Sequence, residues 1–422
     1  MIVKKLLSLL LCLILTTTYV AAANPVPDFD IMSQSGVVTE AATGQVLYQK
    51  NMDTKEYPAS ITKVMTALVA LEHGKLDDVL TVSENAVYSV SGTSHIALCP
   101  GEVITLEEAL YGLMLASAND CAVAIAEFIG GSEEEFVKMM NEKAKALGAL
   151  KTHFANPHGL HAEDHFTTAY DMALMTGEAM KNPDFVKISG TVLYTMSPTN
   201  KQSEERMLAN QNAMLKGGKY GYEYAQFGKN GYTSQAANTM VVEAKRGSLD
   251  LICVVMNCSD GNQKYTDAIK LLDFCYDNFY KTKIDNEVIQ PPVAKLSGWF
   301  GAIGQVDFSL QEDIEVMLPN GTGTDQLSYS YDIKKSYKKA KEYTAMLTVS
   351  KEEEQLFQIP LTGIATKKIT FYNVVKTILL IVLLVVLFLA AVVAYYIIDA
   401  ERKKKKRRKD RMRRALRIKK DI

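Results

Sequence analysis

The stretch YPASITK at residues 57–63, followed by VMTALVAL at residues 64–71, decides how the rest of the chain is organised. Pro58 suits the first turn of a helix, because proline has no N–H to lose there and its φ is already set. The residues after Lys63 are apolar on almost every side, so the predicted helix is buried rather than amphipathic. We therefore expect the core of the first domain to surround this helix.

Ser60 and Lys63 stand three residues apart, which places a hydroxyl and an amine on one face of the first turn. The positive helix N-terminus and the apolar surroundings both lower the pKa of a lysine amine at this position. A neutral amine beside a serine can accept the serine's proton and so activate the hydroxyl as a nucleophile. The sequence therefore suggests a serine nucleophile with a lysine base.

The Ser-x-x-Lys pattern is weak by itself, since it occurs by chance roughly once or twice in a chain of this length and composition. A second copy at residues 336–339 lies in a lysine-rich run that no apolar helix follows, and we interpret it as solvated surface. Partners elsewhere in the first domain must therefore distinguish the Ser60 copy from chance.

One such partner is the sequence SAND at residues 117–120, which follows a predicted helix ending near Leu115. A hydroxyl and an amide two residues apart at a helix junction can both face a cleft, with Ser117 relaying a proton and Asn119 binding a peptide carbonyl. Two alternatives stay open. Ser117 could simply cap the next helix, and the similar Ser-Glu-Asn at residues 83–85 is a rival match.

A second partner is GKNGYT at residues 228–233, just before a predicted pair of strands. Lys229 at a strand edge, followed by glycine, lets a substrate backbone lie close while an ammonium attracts its carboxylate. The alternative is an ordinary hairpin, because Asn-Gly is the strongest two-residue turn signal. Similar Lys-x-Gly matches at residues 216–218 and 245–247 show that this motif alone is not specific.

Strands predicted near both ends of residues 24–283, with helices between them, indicate one mixed α+β domain whose first and last strands share a sheet. Pro291 and Pro292 mark a boundary, and residues 284–367 show short alternating runs between glycine-rich turns, which predict a small all-β domain. The predicted strands of the first domain cover residues 37–40, 45–48, 239–244 and 251–256, and the helices after the Ser60 helix cover residues 104–115, 121–129, 132–148, 168–180 and 267–280.

The net charge of −1 for the 422 residues conceals a division along the chain. Residues 399–422 contain 14 Lys and Arg against 4 Asp and Glu, a net charge of +10, whereas residues 24–398 carry −13. Because the positive charge is confined to one end, nucleic acid is not expected as a main partner.

Both ends of the chain carry targeting signals. Residues 1–23 combine Lys4 and Lys5, an apolar run and three alanines, which is typical of a cleaved signal peptide; an uncleaved anchor is the alternative. The segment 375–398 includes 22 consecutive uncharged residues, enough to cross a bilayer, and a buried core helix is the alternative. Since positive residues stay on the cytoplasmic side, we expect a single-pass protein of the cell membrane with an extracytoplasmic catalytic domain and a basic cytoplasmic tail at residues 399–422.

The cysteines and histidines do not predict a metal site or a cofactor. Five cysteines remain after the signal peptide, an odd number with no regular spacing, so we expect free thiols; a bridge between Cys253 and Cys258 stays open. His158, His161 and His165 lack a repeated carboxylate–histidine spacing on one helix face, which favours structural or substrate-side roles.

The order of these three motifs along the chain is much more specific than any one of them alone. Ser-x-x-Lys opening a buried helix, Ser-x-Asn some 57 residues later and Lys-x-Gly late in the same domain form the set typical of penicillin-binding proteins and class A β-lactamases. The chain resembles the serine-type D-alanyl-D-alanine carboxypeptidases, the low-molecular-mass penicillin-binding proteins, over about residues 30–365. The resemblance extends to the sequences at residues 42–44, 92–94, 100–102, 156–160 and 165–171.

This resemblance implies an α+β, β-lactamase/transpeptidase-like domain with a central antiparallel sheet and a helical cluster. It also implies that Ser60 attacks the carbonyl between two D-alanines of a peptidoglycan stem peptide, with β-lactams as covalent inhibitors and no cofactor. Lys63 would be the base, and Ser117 and Asn119 the relay and the carbonyl ligand. The substrate would lie against Lys229, Asn230, Gly231, Tyr232 and Thr233, with the backbone N–H groups of Ser60 and Tyr232 as the oxyanion hole.

Two departures from the family pattern matter. The family usually has Lys-Thr-Gly where this chain has Lys229-Asn230-Gly231, which affects recognition of the substrate carboxylate. A spanning helix with a basic tail also replaces the amphipathic anchor that the family often uses. A β-lactamase-like hydrolase of the same fold and a non-catalytic cell-wall-binding scaffold are the alternative functions.

Overall fold

The computed structural model describes residues 25–418, apart from residues 216, 286, 299–300, 311–312, 335, 339–342, 352–353 and 367–370. The predicted signal peptide at residues 1–23 therefore lies outside the described residues. The chain divides into two compact units, and the first takes in the residues up to Asp285 together with Asp313–Leu327 and Lys351–Phe357. The domain boundaries drawn from the sequence remain predictions.

The first unit is a mixed α+β structure. In chain order its elements are β1 (Ser35–Glu40), β2 (Val46–Lys50), a 3-10 turn (Ala59–Thr62), α1 (Lys63–His73), β3 (Val79–Thr81), α2 (Glu84–Tyr88), β4 (Val103–Thr105), α3 (Leu106–Leu115), α4 (Asn119–Gly130), α5 (Glu133–Ala146), α6 (Ala169–Met180), α7 (Pro183–Gly190), β5 (Leu193–Met196), β6 (Arg206–Ala209), β7 (Ala225–Thr233), β8 (Ala237–Arg246), β9 (Leu249–Cys258), α8 (Gln263–Asn278) and β10 (Phe279–Ile284).

A five-stranded antiparallel sheet in the order β2-β1-β9-β8-β7 forms the centre of this unit. The hairpin β1–β2 from the start of the chain pairs with β9 from its far part, which confirms the prediction that distant strands share a sheet. One face of the sheet packs against a large apolar cluster that includes α1, α3, α4 and α6, and the other face packs against α8. Strand β7 is an edge strand.

The helix α1 is buried along most of its length, as the apolar run after Lys63 predicted. A capping box begins α3: Thr105 accepts the N–H of Glu108, whose carboxylate accepts the N–H of Thr105. Ser132 and Thr168 cap α5 and α6 in the same way, each accepting an N–H three residues later. These caps lie at the start of three helices that the sequence predicted.

One local prediction had the wrong bounds. The closing helix, predicted at residues 267–280, begins at Gln263, because Asp260 accepts the N–H groups of Asn262 and Gln263, and it ends at Asn278. The two residues after it belong to β10, which pairs with β13 (Ile314–Pro319).

The Asn230-Gly231 pair, for which a hairpin turn was an open alternative, lies inside β7, and the turn to β8 follows Thr233. The described cysteines are free thiols, including Cys253 and Cys258, so the bridge left open between them is not observed.

The second unit takes in residues 286–312, 328–350 and 358–422. A six-stranded sheet contains β11 (Ala294–Gly298), β12 (Gly301–Ser309), β14 (Leu327–Asp332), β15 (Ser336–Lys338), β16 (Tyr343–Lys351) and β17 (Glu354–Thr366) in the order β14-β16-β17-β12-β11-β15. The second Ser-x-x-Lys copy begins in the short strand β15.

Helix α9 (Phe371–Ile418) contains the segment Val375–Arg413, which within the described residues is long and apolar enough to cross a membrane. The helix continues without a break from the apolar segment into the basic tail.

Candidate active site

Ser60 lies in the 3-10 turn that immediately precedes α1, rather than in the first turn of the α-helix as predicted. The turn starts at Ala59, whose φ of +50° is in the left-handed region that alanine rarely adopts. Gly159 packs directly on the Ala59 carbonyl, and a Cβ at Gly159 would clash with that oxygen. The nucleophile turn is therefore strained, and a glycine about 100 residues away leaves room for it.

Lys63 is 0% exposed, and its Nζ contacts three oxygens. The distances are 3.0 Å to Ser60 Oγ, 2.7 Å to Asn119 Oδ1 and 2.6 Å to the His158 carbonyl oxygen. Burial, followed by the charge of Lys229, holds the pKa of Lys63 well below its usual value. Both effects shift the equilibrium of the Lys63 amine toward its neutral form.

The three contacts of Lys63 suit a neutral amine with a defined orientation. The Asn119 and His158 carbonyl oxygens can only accept hydrogen bonds, so they take the two N–H groups of the amine. When the amine is neutral, its lone pair is left for the third partner, Ser60 Oγ at 3.0 Å, whereas the charged ammonium donates to that oxygen. This geometry is the one that a base needs in order to take the proton of Ser60.

Ser117 and Asn119 both reach this centre. Ser117 has a φ of +58° and lies just before α4, whose N-cap residue is Ala118, so the alternative that Ser117 caps this helix is not observed. The Asn119 amide spans the site, with Oδ1 on Lys63 and Nδ2 donating to Thr93 Oγ1 at 2.9 Å. The rival Ser83 caps α2 instead.

Lys229 approaches from the edge strand β7. Its side chain is 1% exposed, and Nζ lies 2.9 Å from Ser117 Oγ and 3.2 Å from the Asn230 carbonyl oxygen. Burial, followed by the charge of Lys264, lowers the pKa of Lys229 to about 7. The two lysines thus lie on either side of the Ser117–Asn119 segment, each bonded to one of its side chains.

Gly231 brings the backbone of β7 against the nucleophile turn. A Cβ at this position would lie 2.8 Å from the Ser60 nitrogen and 2.9 Å from the Pro58 oxygen, so only glycine allows this approach. Tyr232 follows with a 66% exposed side chain, and Thr233 Oγ1 accepts the N–H of Ala236 at the start of the hairpin turn. Gly231 therefore brings the backbone of the β7 edge against one side of Ser60.

The Asn230 side chain does not face Ser60. Neighbouring residues of a strand point to opposite faces of the sheet, so Asn230 faces α8 while Lys229 and Gly231 face Ser60. Its Nδ2 donates to the Gln211 carbonyl at 2.9 Å and to Tyr265 Oη at 2.6 Å. The prediction that the Asn230 side chain lies against the substrate does not fit this placement, because both of its amide donors are already bonded.

Sequence reasoning missed the carbonyl of His158 as a partner of Lys63. Its signal was the sequence NPHG at residues 156–159, where Asn156 Oδ1 accepts the N–H of Gly159 and Thr66 Oγ1 donates to the Pro157 carbonyl. Burial lowers the pKa of His158 to about 3 and that of His165 to about 4, which keeps both rings neutral. His165 packs behind the site, with Nε2 2.8 Å from Thr62 Oγ1.

His161 lies beside the site, where its ring packs edge-on against Tyr57. Within the described residues, no group of three or more His, Cys, Asp or Glu side chains is arranged to hold a metal ion.

Residues 19–260 match the family model for D-alanyl-D-alanine carboxypeptidase. The D-alanyl-D-alanine carboxypeptidase DacF of Bacillus subtilis is 37% identical over 79% of this chain and 85% of its own length. The enzyme DacB2 of Mycobacterium tuberculosis is 34% identical over 60% of this chain and 85% of its own length.

Solved structures agree with these relatives. Penicillin binding protein 5 from Haemophilus influenzae superposes with a TM-score of 0.65 and 25% identity, covering 81% of this chain and 98% of that one. A D-alanyl-D-alanine carboxypeptidase from Mycobacterium tuberculosis gives a TM-score of 0.56 and 30% identity, covering 60% of this chain and 95% of that one. The chain therefore belongs to the D-alanyl-D-alanine carboxypeptidase family of serine peptidases, the low-molecular-mass penicillin-binding proteins.

Proposed function

We propose that this carboxypeptidase works through an acyl-enzyme on Ser60, with Lys63 as the general base. The observation that carries the proposal is the amine of Lys63, fully buried, 3.0 Å from Ser60 Oγ, with two carbonyl oxygens occupying its other hydrogen-bonding positions. Acylation then begins when Ser60 Oγ attacks the carbonyl carbon between the last two D-alanines while its proton passes to Lys63 Nζ.

We assign the remaining site residues the roles that the family resemblance implies. The backbone N–H groups of Ser60 and Tyr232 stabilise the oxyanion of the tetrahedral intermediate. The proton on Lys63 returns to the leaving amine through Ser117 Oγ, and the terminal D-alanine departs. Asn119 binds the peptide carbonyl, and water then attacks the acyl-serine and releases the shortened stem peptide.

Lys229, with the adjoining β7 edge of Gly231, Tyr232 and Thr233, binds the terminal carboxylate of the substrate. This role requires a charged ammonium, and the pKa of Lys229 is lowered to about 7. Lys63, in contrast, must be neutral in order to act as the base. Activity is therefore expected to rise as Lys63 loses its proton and to fall again as pH rises past 7.

The substrate is the stem peptide of peptidoglycan, and β-lactams acylate Ser60 as covalent inhibitors. The family match and the similarity to penicillin-binding proteins support both assignments. A β-lactam presents a strained amide beside a carboxylate, so the same Ser60 and Lys229 would engage it. Slow release of a bound penicillin distinguishes this function from that of a β-lactamase-like hydrolase.

The chain is a single-pass membrane protein in this proposal, with residues 1–23 as signal peptide, 375–398 as the span and 399–422 as the cytoplasmic tail. The long apolar helix α9 supports a membrane anchor, and the basic residues after it support the orientation. The catalytic domain at residues 24–283 and the small β domain at 284–367 then lie outside the cytoplasm.

A direct test measures D-alanine release from a peptide ending in D-Ala-D-Ala by the purified full chain, together with the intact mass after incubation with penicillin. Wild type should release D-alanine and gain one penicillin, and Ser60→Ala should do neither. Ser336→Ala is the matched control, because it alters the other Ser-x-x-Lys copy, and it should behave as wild type. Failure of the wild type to form an adduct would favour a non-catalytic scaffold.

A further inference from the structure

Asn230 occupies the position where the family usually has threonine, and its side chain is held on the face of β7 away from Ser60. The carbonyl of Gln211 can only accept, so it fixes the amide orientation with Nδ2 toward Gln211 and Tyr265 Oη. On the other side, Oδ1 accepts from Asn212 Nδ2 at 3.3 Å. One side chain thus connects β7 to the turn at Gln211 and Asn212 and to helix α8.

The same turn holds the segment that carries Ser117. The backbone N–H of Gln211 donates to the Leu115 carbonyl at 3.2 Å, and its Nε2 donates to the Ala116 carbonyl at 3.0 Å. Lys229, next to Asn230, reaches Ser117 Oγ directly. Two adjacent residues of β7 therefore hold residues 115–117, one directly and one through Gln211.

Close packing makes this connection specific. Asn212 is buried, and its amide lies across the backbone of β7 at Gly228, where a Cβ would clash with it. The Asn230 site then offers two acceptors and one donor, which an amide satisfies completely. A threonine hydroxyl has a single O–H, so it cannot donate to the Gln211 carbonyl and the Tyr265 hydroxyl at once, and it would keep both partners only if the Tyr265 hydroxyl turned to donate.

We propose that Asn230 is a positioning residue: by tying the β7 edge to the Gln211–Asn212 turn and to Tyr265, it fixes Ser117 against Lys229 for the reaction. Recognition of the substrate carboxylate then falls to Lys229 and the backbone of β7, without a side-chain hydroxyl at position 230. The inference rests on the proposed function for the role of the Ser117–Lys229 pair, but the connection itself can be measured without turnover.

The experiment uses the full chain in detergent micelles with Asn230→Ala, Asn230→Thr and Tyr265→Phe. Acylation of Ser60 by a fluorescent penicillin should slow by about tenfold to a hundredfold in Asn230→Ala and Asn230→Thr, because small displacements of reacting groups have effects of this size. Tyr265→Phe should slow acylation less than Asn230→Ala does. The double variant with both changes should acylate little more slowly than Asn230→Ala alone, since the two residues act through one contact.

Two further readouts separate positioning from a general loss of stability. The alkaline limb of the acylation rate should move to higher pH in Asn230→Ala, because a loosened β7 edge admits water to Lys229. Amide hydrogen exchange at residues 115–118 should accelerate about tenfold, the effect of losing about one net hydrogen bond. Asn141→Ala is the matched control: its partly buried amide also makes three hydrogen bonds, one to the Val137 carbonyl within α5 and two to the backbone of Phe154, and neither readout should change.

The proposal is overturned if Asn230→Thr acylates as fast as wild type with an unchanged pH profile, which would make position 230 a site for a substrate-binding hydroxyl. It is equally overturned if exchange at residues 115–118 rises no more in Asn230→Ala than in Asn141→Ala. The exchange result stands even if the wild type forms no penicillin adduct, so a failure of the proposed function is distinguishable from a failure of this inference.

Discussion

Replacing Lys229 with methionine should make the folded protein more stable near neutral pH while weakening substrate binding. The pKa of Lys229 is about 7 in the folded chain against 10.5 for the ordinary side chain. Below pH 7 the folded state therefore carries a buried charge that destabilises it by about 5 kcal/mol, since each pKa unit corresponds to about 1.4 kcal/mol. Methionine has similar length and no charge, so it removes this penalty.

The stabilisation expected from removing the buried charge is partly offset by the loss of two hydrogen bonds. Lys229 Nζ donates to Ser117 Oγ and to the Asn230 carbonyl, and losing both costs about 1–2 kcal/mol. The net stabilisation expected for Lys229→Met is therefore about 3 kcal/mol at pH 6.

The pH dependence has a definite sign. Between the folded and the unfolded pKa of Lys229, the unfolded chain binds one more proton than the folded chain, so wild-type stability rises with pH. The free energy of unfolding of Lys229→Met should therefore exceed that of the wild type by less than about 1 kcal/mol at pH 9.

Urea unfolding at both pH values, followed by circular dichroism, measures the difference. Equal stability at pH 6, or a difference independent of pH, would refute the account of a desolvated ammonium at this site.

Three other changes have defined outcomes. Lys63→Met should slow penicillin acylation by about 10²–10⁴-fold, the range for loss of a general base, in a stopped-flow assay. Lys264→Met should raise the pKa of Lys229 by removing a neighbouring charge, so the alkaline limb of kcat/KM moves to higher pH; an unmoved limb would contradict this. Deleting residues 371–422 should release the protein from membranes, as fractionation would show, with the acylation rate unchanged.

The parts of the fold that depend on local signals could be predicted from the sequence. The buried helix after Lys63 follows from its apolar run, and the helix predicted at residues 104–115 matches α3, which begins at a capping box of Thr105 and Glu108. The shared sheet of β1 and β9 followed from strands at both ends of one domain.

Features that depend on distant contacts could not be predicted. Ala59 starts the 3-10 turn of Ser60 with a left-handed φ, and its carbonyl packs against Gly159, where a Cβ would clash. The His158 carbonyl on Lys63 depends on the same loop. These contacts join parts of the chain about 100 residues apart, and no local pattern encodes them.

Asn230 shows how a local signal can mislead. Asn-Gly favours a turn, but pairing of β7 with β8 along its length keeps this dipeptide inside a strand. The alternation of side chains along that strand would have placed Asn230 on the face opposite Lys229. The partners on that face, Gln211 and Tyr265, could not be identified from the sequence.

The measurement that tests the central claim most directly is the rate of Ser60 acylation by penicillin as a function of pH, with the modified residue confirmed by peptide mass. The neutral, buried amine of Lys63 predicts an acid limb with an apparent pKa well below 10.5, and loss of that limb in Lys63→Met along with most of the rate. An acid limb near 10.5, or a Lys63→Met variant that acylates at the wild-type rate, would contradict the account.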